Sequence, residues 1–190
     1  MSVIVLTGIP GVGSSTVARE ALNMMDDDAA SRFRSVNYGD VMFEVAQQKG
    51  LVKSRDEMRK LESSIQRAIQ QKAAKKIASI EGRVILDTHI TIKTPQGYLP
   101  GLPRWVLDGL EPDLIILVEA DPEEIYQRRV KDKSRSRDSD SVELIDEHQQ
   151  INRATGMAYA ALSGATVKII ANHDNGLKDA AGELLEVISG

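Results

Sequence analysis

The chain has 190 residues, 42% of them hydrophobic, 27% charged and 4% aromatic, with a formal net charge of −4 and no cysteine. That length suits one domain with a core of Ile, Val, Leu, Ala and Met; the acidic balance argues against a broad nucleic-acid or membrane-surface binder, and the missing cysteines exclude disulfides, thiolate zinc sites and a cysteine nucleophile. MSVIVLTGIP has neither the basic start nor the long apolar run of a signal peptide or membrane span, so a soluble, cytoplasmic protein is expected.

Val3 to Thr7 is the first of several short, apolar, largely β-branched runs, which suit strands covered on both faces. It leads into GIPGVGSST, Gly8 to Thr16, and then into the helical pattern TVAREALNMM. The pattern G-x-x-x-x-G-K-[ST] puts its glycines on Gly8 and Gly13 and its magnesium-side hydroxyl on Ser15, but Ser14 stands where lysine belongs. Strand, glycine-rich loop and helix still come in the order a phosphate loop needs, and most of such a cradle is main-chain N–H and helix dipole. A glycine-rich turn without a ligand is the alternative.

A weaker strand is predicted over Arg34 to Tyr38, and Tyr38-Gly39-Asp40 opens a helix. A long helix is predicted from Ser54, where Ser54 and Glu57 fit the S-x-x-E capping box; Met58, Leu61, Ile65, Ile69, Ala73 and Ile77 then recur at three- and four-residue steps as one apolar stripe. At its start Arg55 and Arg59, four apart, would project from one face toward an anion, unless they only solvate an exposed face. RVILD ends the next strand on Asp87, a carboxylate at the sheet edge where it would partner magnesium indirectly or through water, or simply begin a surface turn. His89 receives no acid/base role, and Tyr98 and Trp105 in the stretch GYLPGLPRW read as structural.

LIILVE, ending at Glu119, is followed by Asp121, Pro122 and Glu124 as N-cap, N1 and N3 of a further helix. Arg128, Arg129, Arg135, Arg137 and, further on, Arg153 form the dense arginine series of an acidic chain, partly within the polar stretch Lys131 to Ser141. Interleaved Asp132, Asp138 and Asp140 allow a charge-balanced surface loop, but beside a phosphate loop a cationic segment closing over a triphosphate is the stronger reading. TVKIIAN, ending at Asn172, supplies the last strand. The alternation of strands and helices specifies a doubly wound α/β fold.

The stretches GIPGVGSST, NYGDVMFEVA, RDEMRKL, LDTHITIKTPQGYLPGLP, SRSRD and SGATVKIIAN span almost the whole chain, and together they resemble the archaeal type of adenylate kinase. The resemblance implies a P-loop nucleoside monophosphate kinase fold over residues 1–190: an α/β domain with a five-stranded parallel sheet flanked by helices, a monophosphate-binding segment near 38–80 and a short lid near 128–141 lacking zinc. It implies reversible, Mg2+-dependent conversion of ATP and AMP to two ADP by a homo-oligomer, often a homotrimer, with no nucleic-acid or membrane partner. Carried over by position, Gly8, Ile9, Pro10, Gly11, Val12, Gly13, Ser14, Ser15 and Thr16 would hold the ATP phosphates, and Gly39, Asp40, Arg55 and Arg59 the AMP. Arg128, Arg135 and Arg137 would be lid and catalytic arginines, Ser15 and Asp87 would lie at the metal, and Asn172 to Asp174 would pack beside the ATP adenine. Ser14 leaves open what neutralises the β- and γ-phosphates. A kinase for another nucleoside monophosphate, or a non-catalytic nucleotide sensor, remains the rival reading.

Overall fold

Neighbouring residues of each apolar run serve opposite sides of the sheet. Val3, Val5, Val84, Leu86, Ile115 and Leu117 join one buried cluster, while Ile4, Leu6, Ile85, Ile116 and Val118 join the other. These three runs are continuous because both faces of their strands are covered, whereas the last run, TVKIIAN, leaves Ile169 exposed.

The computed structural model describes residues 2–132 and 140–190. In chain order it contains β1 (Ser2–Thr7), α1 (Ser14–Asn23), α2 (Asp27–Ala30), β2 (Phe33–Asn37), α3 (Tyr38–Gln48), a 3-10 turn (Arg55–Lys60), α4 (Ser63–Ala78) and β3 (Arg83–Asp87). There follow β4 (Thr91–Thr94), β5 (Gly97–Pro100), α5 (Arg104–Leu110), β6 (Leu114–Glu119), α6 (Pro122–Lys131), α7 (Val142–Ser163), β7 (Thr166–Ala171) and α8 (Leu177–Ser189). The five-stranded sheet has the order β2-β3-β1-β6-β7 with every pair parallel, and β4 and β5 form a separate antiparallel hairpin. Buried residues of α3, α4, α5 and the end of α7 cover one face; those of α1, α8, α6 and the start of α7 cover the other.

The predicted strands stand, with the weak one shifted a residue earlier to run from buried Phe33 to Asn37, so that Tyr38 opens α3, and with the last one ending at Ala171. The α6 capping box also forms: Asp121 accepts from the Glu123 N–H at 2.8 Å, and Glu124 accepts from the Asp121 N–H at 3.3 Å. The helix predicted from Ser54 is corrected. Its box does not close, because the Glu57 carboxylate takes the N–H of Lys53 at 2.7 Å and Ser54 makes no side-chain cap. The chain makes a 3-10 turn, extends at Leu61 (φ −68°, ψ 147°) and starts α4 at Ser63. The apolar stripe survives the break: Met58, Leu61 and Ile65 pack partly buried against the core that holds Ile69, Ala73 and Ile77. Among the described residues no helix is long and apolar enough to cross a membrane.

Candidate active site

The loop between β1 and α1 wraps tightly against the sheet. A Cβ on Gly8 would lie 2.7 Å from the Val118 carbonyl oxygen and 2.5 Å from Val12 Cγ2, so the close approach of the loop to β6 needs a residue without one. Gly13, left-handed at φ 85°, caps α1 without a side-chain hydrogen bond. Its carbonyl accepts from the N–H groups of Thr16 (2.9 Å) and Val17 (3.0 Å); the N–H groups of Gly13, Ser14 and Ser15 have no partner among the described residues. Three donors at a helix N-terminus make a ready anion cradle.

The carbonyls of the loop are held from behind. Pro10 O accepts from Arg129 Nε at 2.7 Å, Val12 O accepts from Asn172 Nδ2 at 2.7 Å and from Arg128 Nη1 at 3.4 Å, and Gly8 O lies 3.2 Å from His89 Nδ1. Arg128 also donates to Asp174 Oδ1 (2.7 Å) and to the Asn172 carbonyl (2.9 Å), so it joins the loop to the segment after β7. Glu124 closes that corner, and the Asp174 N–H bonded to it holds its carboxyl below the usual carboxylate range. Arg153, by contrast, is committed to Glu119, with Nε 2.9 Å from Oε1.

At the ends of the strands, Ser15 Oγ donates to Asp87 Oδ2 at 2.7 Å, bringing together the two residues expected at the metal. A hydroxyl and a carboxylate fit Mg2+, a hard cation that takes one or two protein oxygens and fills its octahedron with phosphate and water. Sheet register places Asp87 in one row with Leu6 of β1 and Asn37 of β2. On the β2 side, Asn37 Oδ1 caps α3 through the Asp40 N–H (3.1 Å), and Arg55 forms an ion pair with Asp40 while lying 3.5 Å from Asn37 Oδ1. Gly39 belongs to this group, since a Cβ there would stand 3.2 Å from both Arg55 Nη2 and Asn37 Oδ1.

Arg59 does not join them. It is exposed and makes no ion pair among the described residues. The shared face expected of Arg55 and Arg59 assumed α-helical geometry; in a 3-10 turn, residues four apart point about 120° apart. Arg135 and Arg137 lie outside the described residues.

Several contributors escaped the sequence. Asn37 carried a findable signal, a capping side chain just before an Asp-containing first turn. The buried polar group Thr91, His148 and Asn152 and the ion cluster Lys93, Asp140 and Arg129 bring together residues scattered along the chain, and no local spacing announces them. Tyr98 and Trp105 are structural as read: Tyr98 Oη donates to Glu147 at 3.0 Å, and Trp105 Nε1 donates to Gln70 at 3.0 Å beneath the Arg67 guanidinium.

A family model described as an AAA domain matches residues 7–146. Among curated relatives, an adenylate kinase of Methanothermobacter thermautotrophicus is 55% identical over 99% of this chain and 100% of its own length. One of Methanopyrus kandleri is 56% identical over 98% of this chain and 97% of its own, and one of Pyrococcus furiosus is 50% identical over 98% and 94%. Among solved structures, shikimate kinases from Bacteroides thetaiotaomicron (TM-score 0.61, 13% identity, 100% of this chain and 99% of that one) and Acinetobacter baumannii (0.60, 16%, 99% and 93%) share the fold.

Proposed function

The chain belongs to the adenylate kinase family, and from that premise we propose that it transfers the γ-phosphoryl group of ATP to AMP, reversibly, giving two ADP. The observation that carries this reading is the row Leu6, Asp87 and Asn37: the phosphate loop leaves the end of β1, the Asn37-Gly39-Asp40-Arg55 group sits at the end of β2, and Asp87 stands between them. Donor and acceptor thereby have adjacent places on one sheet edge, outside the carboxyl ends of the strands.

In this reading the free N–H groups of Gly13, Ser14 and Ser15 receive the donor phosphates, and the corner of Arg128, Asn172 and Asp174 borders the donor nucleoside. Residues 38–80 form the acceptor segment, where Arg55 exchanges Asp40 for the acceptor phosphate. That exchange costs little, because an ion pair whose side chains are 55% and 69% exposed is worth only about 0.2–1 kcal/mol. An oxygen of the acceptor phosphate attacks the γ-phosphorus and the bond to the β-phosphate oxygen breaks, with ADP leaving on that electron pair. The acceptor oxygen is already ionised, so no general base is needed and catalysis rests on positioning and charge neutralisation. Ser15 and Asp87 would hold Mg2+, which supplies charge neutralisation to the β- and γ-oxygens when bound. Arg135 and Arg137 belong to this proposal as arginines that meet the transferring charge. The chain also assembles as a homo-oligomer in this reading; exposed Met157 and Leu162 of α7 and Ile169 of β7, the strand at the sheet edge, offer apolar surface for it.

ADP formation from ATP with AMP, CMP, UMP or GMP tests the reading. AMP should be the preferred acceptor by a wide margin. Equal turnover of another monophosphate would change the assignment, and ATP binding with no turnover of any would make the chain a sensor.

A further inference from the structure

We propose that Arg129 is a positioning residue for the phosphate loop, braced in turn by Asp140 and Lys93; the proposal rests on the reading of Gly8 to Ser15 as the donor-phosphate site. Arg129 lies in the last turn of α6 with its side chain 8% exposed. Its guanidinium does two things at once: Nε donates to the Pro10 carbonyl at 2.7 Å, and Nη1 donates to Asp140 Oδ2 at 3.0 Å. The other oxygen of Asp140 takes Lys93 of β4, so α6, β4 and the residues leading into α7 converge behind the loop. The stem of Arg129 lies along the loop as well, with Cγ 3.2 Å from where a Gly11 Cβ would stand.

The peptide plane turns this brace into a functional device. In a trans peptide the carbonyl oxygen and the following N–H point to opposite sides, so a hydrogen bond that fixes the Pro10 carbonyl also fixes the direction of the Gly11 N–H. Arg129 therefore sets the direction of the Gly11 N–H, which has no partner among the described residues and lies in the same loop as the Gly13, Ser14 and Ser15 donors, without touching the phosphate. Burial opposes the charge on Asp140, but the hydrogen bonds and charges of Lys93 and Arg129 outweigh it and hold its carboxyl below the usual range, leaving an anion to orient the guanidinium. A planar fork can serve a carbonyl and a carboxylate together, whereas a single ammonium serves them poorly.

The test compares Arg129→Lys, Asp140→Asn and the double variant with the natural chain, measuring the MgATP dissociation constant, KM for AMP, kcat and melting temperature. Each single change should weaken MgATP by about tenfold and leave KM for AMP within about twofold. The double variant should be no weaker than Arg129→Lys alone, because Asp140 acts through Arg129. Additive losses, unchanged MgATP binding, or ATP and AMP affinities falling together with the melting temperature would each overturn the proposal. A collapse of kcat with MgATP binding intact would also overturn it, by making Arg129 a direct contact of the transferring group. Should Arg129→Lys not fold, Lys93→Met removes only the outer brace and must show the same ATP-selective weakening at lower amplitude; no effect there refutes the idea. A natural chain that fails to bind MgATP at all would sink the kinase reading itself, whereas binding that the variants leave untouched sinks the brace alone.

Discussion

Arg55 and Arg59 show how one local geometry redistributes a role. Four residues apart on an α-helix they would share a face, but the 3-10 turn turns them away from one another, and Arg55 alone reaches Asn37 and Asp40. A charge-assisted contact to phosphate is worth about 1.5–3 kcal/mol, so Arg55→Ala should raise KM for AMP by roughly ten- to a hundredfold with KM for ATP nearly unchanged. Arg59→Ala should raise it much less, and steady-state kinetics with AMP varied at saturating ATP decide the order; the reverse ranking would hand the acceptor phosphate to Arg59. Ser14 poses the complementary problem on the donor side. Position 14 itself carries no positive charge, and although Arg128 and Arg129 bring their guanidinium groups against the loop carbonyls, each is also paired with a carboxylate, Asp174 and Asp140.

At the scale of elements, what the sequence made legible is what local chemistry controls. Apolar runs marked four of the five sheet strands and a weaker run marked β2, the Asp121 box marked α6, and the order strand, glycine loop, helix marked the tight loop at the N-terminus of α1. The hairpin β4–β5 was not legible, because its residues Thr91 to Pro100 answer to α7 rather than to a local alternation: Thr91 donates to Asn152 and lies 2.9 Å from His148 Nε2. The break at Leu61 was hidden because the apolar stripe runs through it unchanged. The hairpin's dependence on His148 has a pH signature. His148 is 5% exposed, and burial, assisted by the charge of Arg129, pushes its pKa down from 6.5 to about 4; Asp140 acts the other way, while Lys93 and His89 add to the lowering. The folded chain keeps the ring neutral while the unfolded chain protonates it, so this contribution is present above about pH 6.5 and is lost as pH falls toward about 4. The stability advantage of the natural chain over His148→Gln, from urea denaturation, should therefore shrink as pH is lowered across that window. An advantage independent of pH would mean that His148 takes up its proton equally in the folded and unfolded chains.

For the whole molecule, the strand order decides where two nucleotides can meet. The chain passes from β1 outward to β2, returns to β3 between them, and only then crosses to β6 and β7, so the ends of β1, β3 and β2 form one continuous edge. Neighbouring strands lie about 4.8 Å apart, which puts the start of the donor loop and the acceptor group at Asn37 on the order of 10 Å from each other across Asp87. That is a distance a short polyphosphate spans, and both ends of the edge carry donors for phosphate: loop N–H groups on one side, Arg55 on the other. Two adenosines joined through a polyphosphate should therefore occupy both places at once. Once one end is bound, the other is held at high effective concentration, so the bridged compound should bind more tightly than either mononucleotide. Initial-rate kinetics should show it competing with ATP and, separately, with AMP, since each substrate needs a place the compound fills. Tight competition against ATP accompanied by noncompetitive behaviour toward AMP would put the acceptor elsewhere, and the β2 edge with Asn37, Asp40 and Arg55 would lose its role.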